Sequence, residues 1–301
     1  MKATAELINP NWASVRHWIS VFSDLFKARL TTLVVITTVV GFYMGDGGGG
    51  HWALMLNTLL ATALLASGAA ALNQYLERDH DALMARTQDR PLPARRLRPD
   101  TVLLIGGLIS AAGLLYLALA ANLLTSLLGA LTLISYLFIY TPLKRVTTLN
   151  TMVGAIPGAL PPLMGWTAAQ GQINAAGWSL FAILFFWQMP HFFAIAWMYR
   201  DQYRQAGFRM LPGEDEDGSR TAHQAVLHAL GLLPISFCPF LFKLAGPIYL
   251  VGALLLGSLF LFAAVRFAMD RSRERARRLF LTSIAYLPLL LGLMVIDKIK
   301  F

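Results

Sequence analysis

Nine apolar stretches, each long enough or nearly long enough to cross a bilayer, recur along the 301 residues, at 24–44, 52–72, 102–121, 123–140, 151–168, 178–199, 222–242, 247–267 and 279–296. A hydrocarbon core about 30 Å thick takes about 20 helical residues. Inside it every backbone amide and carbonyl must find a partner within the segment or a neighbour, which leaves a helical bundle as the fold for segments of this length. The composition agrees, with 56 % hydrophobic and only 14 % charged residues, against about a quarter charged in soluble domains. The expected fold is therefore all-α, a polytopic nine-helix transmembrane bundle. A single membrane domain over residues 24–297 is expected to follow an N-terminal segment over residues 1–23.

Two of the nine stretches are irregular. The first is free of charge only from Leu30 to Met44, so it spans if Lys27 and Arg29 sit in the helix near the interface and extend their charges outward. The fifth contains Gly154, Pro157, Gly158, Pro161, Pro162 and Gly165. It is expected to be bent or broken where neighbouring helices can cover the freed backbone groups.

The net charge of +9 is informative through its distribution. With the N-terminus in the cytoplasm, 22 of the 25 Lys and Arg residues fall on the cytoplasmic side, and only Lys243, Lys298 and Lys300 fall outside. That is the positive-inside pattern. It places the N-terminus and the long loops in the cytoplasm, the C-terminus across a bacterial-type inner membrane, and the lipid bilayer rather than nucleic acid as the partner of the charge. The single cysteine, Cys238, excludes a disulfide framework and a thiolate zinc cluster. The first 21 residues lack an apolar core followed by a small-residue cleavage site, so no cleavable leader is expected.

Three polar clusters then stand out, all on the basic side. In NQYLERDHDALMARTQDRPLP, residues 73–93, Asn73, Glu77 and Asp81 are spaced four and four and stack on one face if the second crossing continues past Leu72. Asp79 lies off that face. Closely spaced oxygen donors suit Mg²⁺, which keeps waters and bridges to phosphate; a solvated, charged helix end would read the same way. YTPLKRVTTLN, residues 140–150, brings Lys144 and Arg145 to the same level, as phosphate-gripping cations or simply as the basic loop that topology demands. In WQMPHFFAIAWMYRDQYRQAGFRMLPGEDEDG, residues 187–218, Gln188 and His191 lie within the sixth crossing, and Tyr199, Asp201, Gln202 and Tyr203 stand at its end. Asp201 could hold a second metal. The run Glu214 to Asp217 has the spacing of a solvated loop.

These pieces, together with the PPLMGW and MPHF segments, resemble the protoheme IX farnesyltransferases, or heme O synthases, within the intramembrane polyprenyltransferase superfamily; the resemblance covers about residues 23–297. This chain departs from the pattern at Glu77, where relatives carry Asp, at Gln202, where they carry an acid, and at Ala28 of Lys27–Ala28–Arg29, where they carry Pro. The Gln202 departure makes the second metal cluster less secure than the first.

What the resemblance implies is transfer of a farnesyl group from farnesyl diphosphate to a vinyl group of heme B. The products are heme O and diphosphate, formed with Mg²⁺ in a dry central cavity open toward the cytoplasm and the membrane. Asn73, Glu77 and Asp81 would hold the metal, with Asp79 behind them and Asp201 opposite. Lys144 and Arg145, with Lys27, Arg29, Arg86 and Arg90, would grip phosphate. Tyr140, Tyr199 or Tyr203 would line the substrate. His191 would meet the heme iron or a propionate, unless it is an internal hydrogen-bonding residue. A downstream heme-modifying enzyme or terminal oxidase assembly is the implied user of the product. Two rival classes use the same features: a prenyltransferase of quinone or aromatic precursors, sharing the acidic residues, and a transporter, sharing a polar interrupted helix.

Overall fold

The computed structural model describes residues 12 to 299, which excludes Lys2, Lys300 and the first half of the N-terminal segment. Among the described residues the chain is helical, apart from one isolated bridge between Ala245 and Lys298. A short helix, α1 (Trp12–Leu25), precedes nine long ones: α2 (Ala28–Gly45), α3 (Trp52–Asp81), α4 (Pro99–Ala120), α5 (Leu123–Leu143), α6 (Asn150–Gln170) and α7 (Ala175–Met198). Two short helices, α8 (Arg200–Gln205) and the single turn Leu211–Glu214, then lead to α9 (Ser219–Leu241), α10 (Pro247–Met269) and α11 (Arg273–Ile296). Eight of the nine are long and apolar enough to cross a membrane. The ninth, α6, is 21 residues long. The protein is a multi-pass membrane protein.

The surface explains itself on that basis. Leu103, Leu104, Leu108 and Leu115 on α4, and Leu254, Leu255, Leu259 and Phe262 on α10, are exposed. So large an apolar periphery is stable only against lipid. The interior holds aromatic side chains whose polar tips are answered. Tyr286 and Ser236 share a hydrogen bond of 2.7 Å, and the Tyr249 hydroxyl donates to the Ser236 carbonyl at 2.8 Å, as buried tyrosines require.

Two local features position the site. Between α1 and α2, Lys27 adopts a left-handed conformation with φ 47°, turning the chain sharply, while its carbonyl accepts from Leu30 N and Thr31 N. In α5, residues Ser135–Tyr140 form a π-helical turn, an insertion that shifts the helix face. Thr141 spans it by donating to the Tyr136 carbonyl at 2.9 Å.

The fifth crossing, expected to be bent or broken, is not broken: α6 is one continuous helix through Pro157, Pro161 and Pro162. All of its residues from Ala159 to Ala168 are buried, so this stretch packs on every side against neighbouring helices. The approach of α2 is close enough that a Cβ at Gly41 would overlap the Pro162 backbone, and one at Gly165 would overlap the Thr38 carbonyl.

Candidate active site

The second crossing continues well past its apolar part, so α3 carries Asn73, Glu77 and Asp81 on one buried face, at 1 %, 6 % and 1 % exposure. Burying two carboxylates without partners would be prohibitive. Each rung of this face instead meets a cation from a different segment. Lys27 Nζ donates to Asn73 Oδ1 at 2.6 Å, Lys144 Nζ to Glu77 Oε1 at 2.7 Å, and Arg90 to Asp81 Oδ2 at 2.6 Å. Lys27 comes from the α1–α2 turn, Lys144 from the turn after α5 and Arg90 from the loop after α3. Asn73 also donates to Thr141 Oγ1 at 3.2 Å, which ties α3 to the π-helical end of α5.

Three cations against two carboxylates leave a positive excess. Burial, with Arg90 and Lys144 nearby, pushes the Lys27 ammonium down to about 7 even though Glu77 and Asp81 act the other way. Burial also opposes charge on Lys144, yet Tyr140 and Glu77 hold its pKa above the ordinary lysine value. An anion entering between these groups would be stabilised by all three cations.

An aromatic wall stands beside the ladder. Lys144 Nζ lies 4.5 Å from the Tyr140 ring centre and 5.9 Å from that of Phe208, within reach of the ring quadrupoles. Arg86 donates to the Tyr203 hydroxyl at 3.0 Å and also stands near the Tyr199 ring, 5.8 Å from its centre. The loop after α8 closes over this region. Arg209 N donates to the Lys144 carbonyl at 2.7 Å, buried Asn150 donates to the Arg209 carbonyl at 2.8 Å, and the Phe208 ring tilts against His80. Asn150 and Phe208 were not singled out by sequence reasoning. An amide directly after a basic loop is the only signal the sequence offers for Asn150, and Phe208 offers none.

The structure thus brings together Lys27, Asn73, Glu77, Asp81, Arg90, Tyr140 and Lys144, with Arg86, Tyr199 and Tyr203 alongside. Asp79 is exposed and lies 3.8 Å from Arg78. Arg29, Arg145 and Asp201 are also exposed. Next to Asp201, the Gln202 Oε1 atom is buried without a hydrogen-bond partner. His191 sits higher in α7, against Ser283 of α11. In the acidic run, Glu214 pairs with Arg209, and buried Asp215 accepts from the Thr221 amide and hydroxyl at 2.7 Å each, securing the start of α9.

Among the described residues no three His, Cys, Asp or Glu side chains converge. The oxygen set offered to a metal is therefore two carboxylates and one amide. Such hard, all-oxygen donors fit Mg²⁺, whose remaining positions waters and phosphate would fill.

Comparison with known proteins agrees with this geometry. Residues 34–287 match the UbiA prenyltransferase family. The chain is 47 % identical over 286 residues to a protoheme IX farnesyltransferase of Solibacter usitatus, covering 92 % of this chain and 98 % of that one. Among solved structures, a digeranylgeranylglyceryl phosphate synthase superposes with a TM-score of 0.80 at 14 % identity, covering 94 % of this chain and 99 % of the other. A UbiA homolog from Archaeoglobus fulgidus bound to GPP and Mg²⁺ superposes with a TM-score of 0.64 at 14 % identity, covering 91 % and 99 %. Nine long helices, a cation-matched acidic face at one end of them, and sequence identity across nearly the whole chain lead to one assignment: the chain belongs to the UbiA prenyltransferase family, in its protoheme IX farnesyltransferase branch.

Proposed function

We propose that the protein transfers the farnesyl group of farnesyl diphosphate to a vinyl group of heme B, with addition of water, giving heme O and diphosphate. The observation that carries this reading is the buried face of Asn73, Glu77 and Asp81, each rung matched by a cation, at one end of an apolar bundle. A diphosphate is the anion such an excess of positive charge would accept, and a farnesyl chain is at home among the helices. The chain's identity to protoheme IX farnesyltransferases supports heme B as the acceptor.

Asn73, Glu77 and Asp81 would hold Mg²⁺, with diphosphate completing its shell; the homolog bound to GPP and Mg²⁺ supports this. When bound, the metal neutralises charge on the leaving diphosphate. Lys144, Arg90 and Lys27 exchange their present partners for phosphate oxygens, so the cations that now satisfy the acidic face stabilise the departing group. The C–O bond breaks with its electrons going to diphosphate. The vinyl carbon attacks the allylic cation, and water captures the new cation on the heme side and loses a proton. Tyr140 presents an aromatic face to the positive charge. Water has to be kept out before carbon–carbon bond formation, and a central cavity opening between the separated ion pairs and the membrane would do so.

The positive-inside bias puts this end of the bundle in the cytoplasm of an inner membrane, where soluble farnesyl diphosphate is available. A heme-modifying enzyme or terminal oxidase assembly would receive the product. The test is to incubate membranes containing the protein with heme B, Mg²⁺ and a panel of prenyl diphosphates, and to separate the pigments by mass. The expected product is heme O, formed from farnesyl diphosphate and lost on chelation of Mg²⁺. Prenylation of a hydroxybenzoate or naphthoate instead of heme would overturn the reading.

A further inference from the structure

Gln74 follows Asn73 in α3 but takes no part in the ladder, because one residue along a helix turns a side chain by about 100°. It is fully buried and meets α1 instead. Its Nε2 carries two protons and donates both, one to the Asp24 carbonyl and one to the Leu25 carbonyl, at 2.8 Å each. The reverse orientation would set Oε1 against two carbonyls, so the hydrogen bonds fix the amide this way round. Oε1 itself is buried without a hydrogen-bond partner among the described residues, which is unfavourable. Cohesion alone does not call for a side chain with an unmatched acceptor. What this amide supplies is two protons aimed in one direction.

The two carbonyls end α1, where a helix leaves its last acceptors open. Two residues later Lys27 takes a left-handed conformation, with φ 47° and ψ 55°. A residue in that place is usually glycine, since a side chain there is strained. Glycine would serve the backbone but could not reach the acidic face, as the Lys27 ammonium does at Asn73. A strained residue persists where its surroundings over-determine it. Here the turn is held ahead of Lys27 by Gln74, at Lys27 by its own amide donating to the Asp24 carbonyl at 3.3 Å, and beyond it by Thr31 donating to the Phe26 carbonyl at 2.8 Å. Of these only Gln74 belongs to the helix that carries the ladder. We propose that Gln74 is a positioning residue: by capping the end of α1 it fixes the left-handed turn that delivers the Lys27 ammonium to the level of Asn73, and so to the diphosphate. Adjacent amides of α3 divide the work, Asn73 receiving the ammonium and Gln74 holding the backbone from which it extends. The inference rests on the reading of Lys27 as a phosphate ligand and deepens it by naming what aims the ammonium.

The test is a double-mutant cycle on the purified full-length protein in lipid nanodiscs, read by the affinity for a non-hydrolysable farnesyl diphosphate analogue in the presence of Mg²⁺, with thermal unfolding as the check on folding. Lys27→Met should weaken binding about 10-fold or more. Gln74→Leu, which keeps the bulk and loses both donors, should weaken it about 10-fold. Because Gln74 acts through Lys27, the double variant Lys27→Met/Gln74→Leu should bind no more than about twofold weaker than Lys27→Met alone. Independent losses, multiplying to about 100-fold in the double variant, would reject the positioning role, since a general loss of structure would act in either background. Unchanged affinity in Gln74→Leu would also reject it. If Gln74→Leu does not fold, Lys27→Gly/Gln74→Leu decides the matter. Glycine takes the left-handed turn unaided, so recovered folding supports the role and continued failure rejects it. Unchanged affinity in Lys27→Met would remove Lys27 from the phosphate site and the proposal with it. Failure of the wild type to make heme O in the membrane assay, with the analogue bound normally, would count against the heme reading alone.

Discussion

Lys144 Nζ donates to Glu77 Oε1 at 2.7 Å, across 67 residues of sequence, and the same ammonium faces the Tyr140 ring. The pair joins the end of α3 to the turn after α5. It lies where carboxylate and cation must part if a metal and a diphosphate are to enter together.

Removing one partner therefore has two separable effects. Lys144→Met leaves Glu77 buried and unmatched, at a cost to stability of about 3 to 5 kcal/mol. The double variant Lys144→Met/Glu77→Gln should recover about 1 to 3 kcal/mol of that loss in denaturant or thermal unfolding, yet remain unable to turn over farnesyl diphosphate. Recovery of activity along with stability would mean that neither residue touches the substrate.

The two acidic candidates should behave differently. Asp81→Asn removes the charge of a buried carboxylate bonded to Arg90, one of the oxygen donors proposed for the metal, and should lower kcat/KM by about 100-fold or more. Asp201→Asn changes an exposed carboxylate and should cost less than about threefold, under about 0.7 kcal/mol. Equal losses in steady-state assays would show that Asp201 is recruited to the metal when substrate binds.

Tyr140 should act through its ring. Tyr140→Phe keeps the aromatic face and should keep kcat within about threefold, whereas Tyr140→Leu should raise the fraction of farnesol among the products as water reaches the allylic cation. Mass analysis of the isoprenoid products distinguishes these outcomes. No rise in farnesol with Leu would remove the shielding role.

Topology can be read by thiol labelling after Cys238→Ala. Exposed positions Gln88 and Glu216, changed singly to Cys, should react with an impermeant reagent only from the cytoplasmic side, and Gln172→Cys only from the opposite side. Reversed labelling would overturn the orientation drawn from the basic residues.

The acidic face was legible in the sequence because it depends only on helical spacing: Asn73, Glu77 and Asp81 align once α3 continues past Leu72. The positions of Lys27 and Lys144 at the same level followed from charge topology, but their pairing with Asn73 and Glu77 did not, since the spacing within each segment says nothing of which rung it reaches. The π turn at Ser135–Tyr140 has no local signature and decides where Thr141 and Lys144 come to lie. Prolines in α6 suggested a bend or a break, and the helix is not broken: it stays continuous where all its residues from Ala159 to Ala168 are buried in the bundle. The Ser283–His191 contact spans 92 residues, a separation at which only tertiary packing can choose a partner. Asp201 and Gln202 were distinguishable only by solvent access, which their adjacent positions in sequence conceal.

Each rung of the α3 face is satisfied by a residue made at a different time. Asp81 gains Arg90 almost at once, nine residues later, but Glu77 waits for Lys144, after two further membrane segments. Until then its carboxylate lacks the ammonium that bonds it directly and has only Asn73 and the charge of Lys27 beside it, so the lower end of α3 is better placed in the wet interface during synthesis. The site is consequently sealed only after α5, the fourth crossing, enters the membrane, and a nascent chain halted before residue 144 would expose Glu77 to water. Order of insertion, as much as final packing, determines when this bundle becomes dry enough for a carbocation.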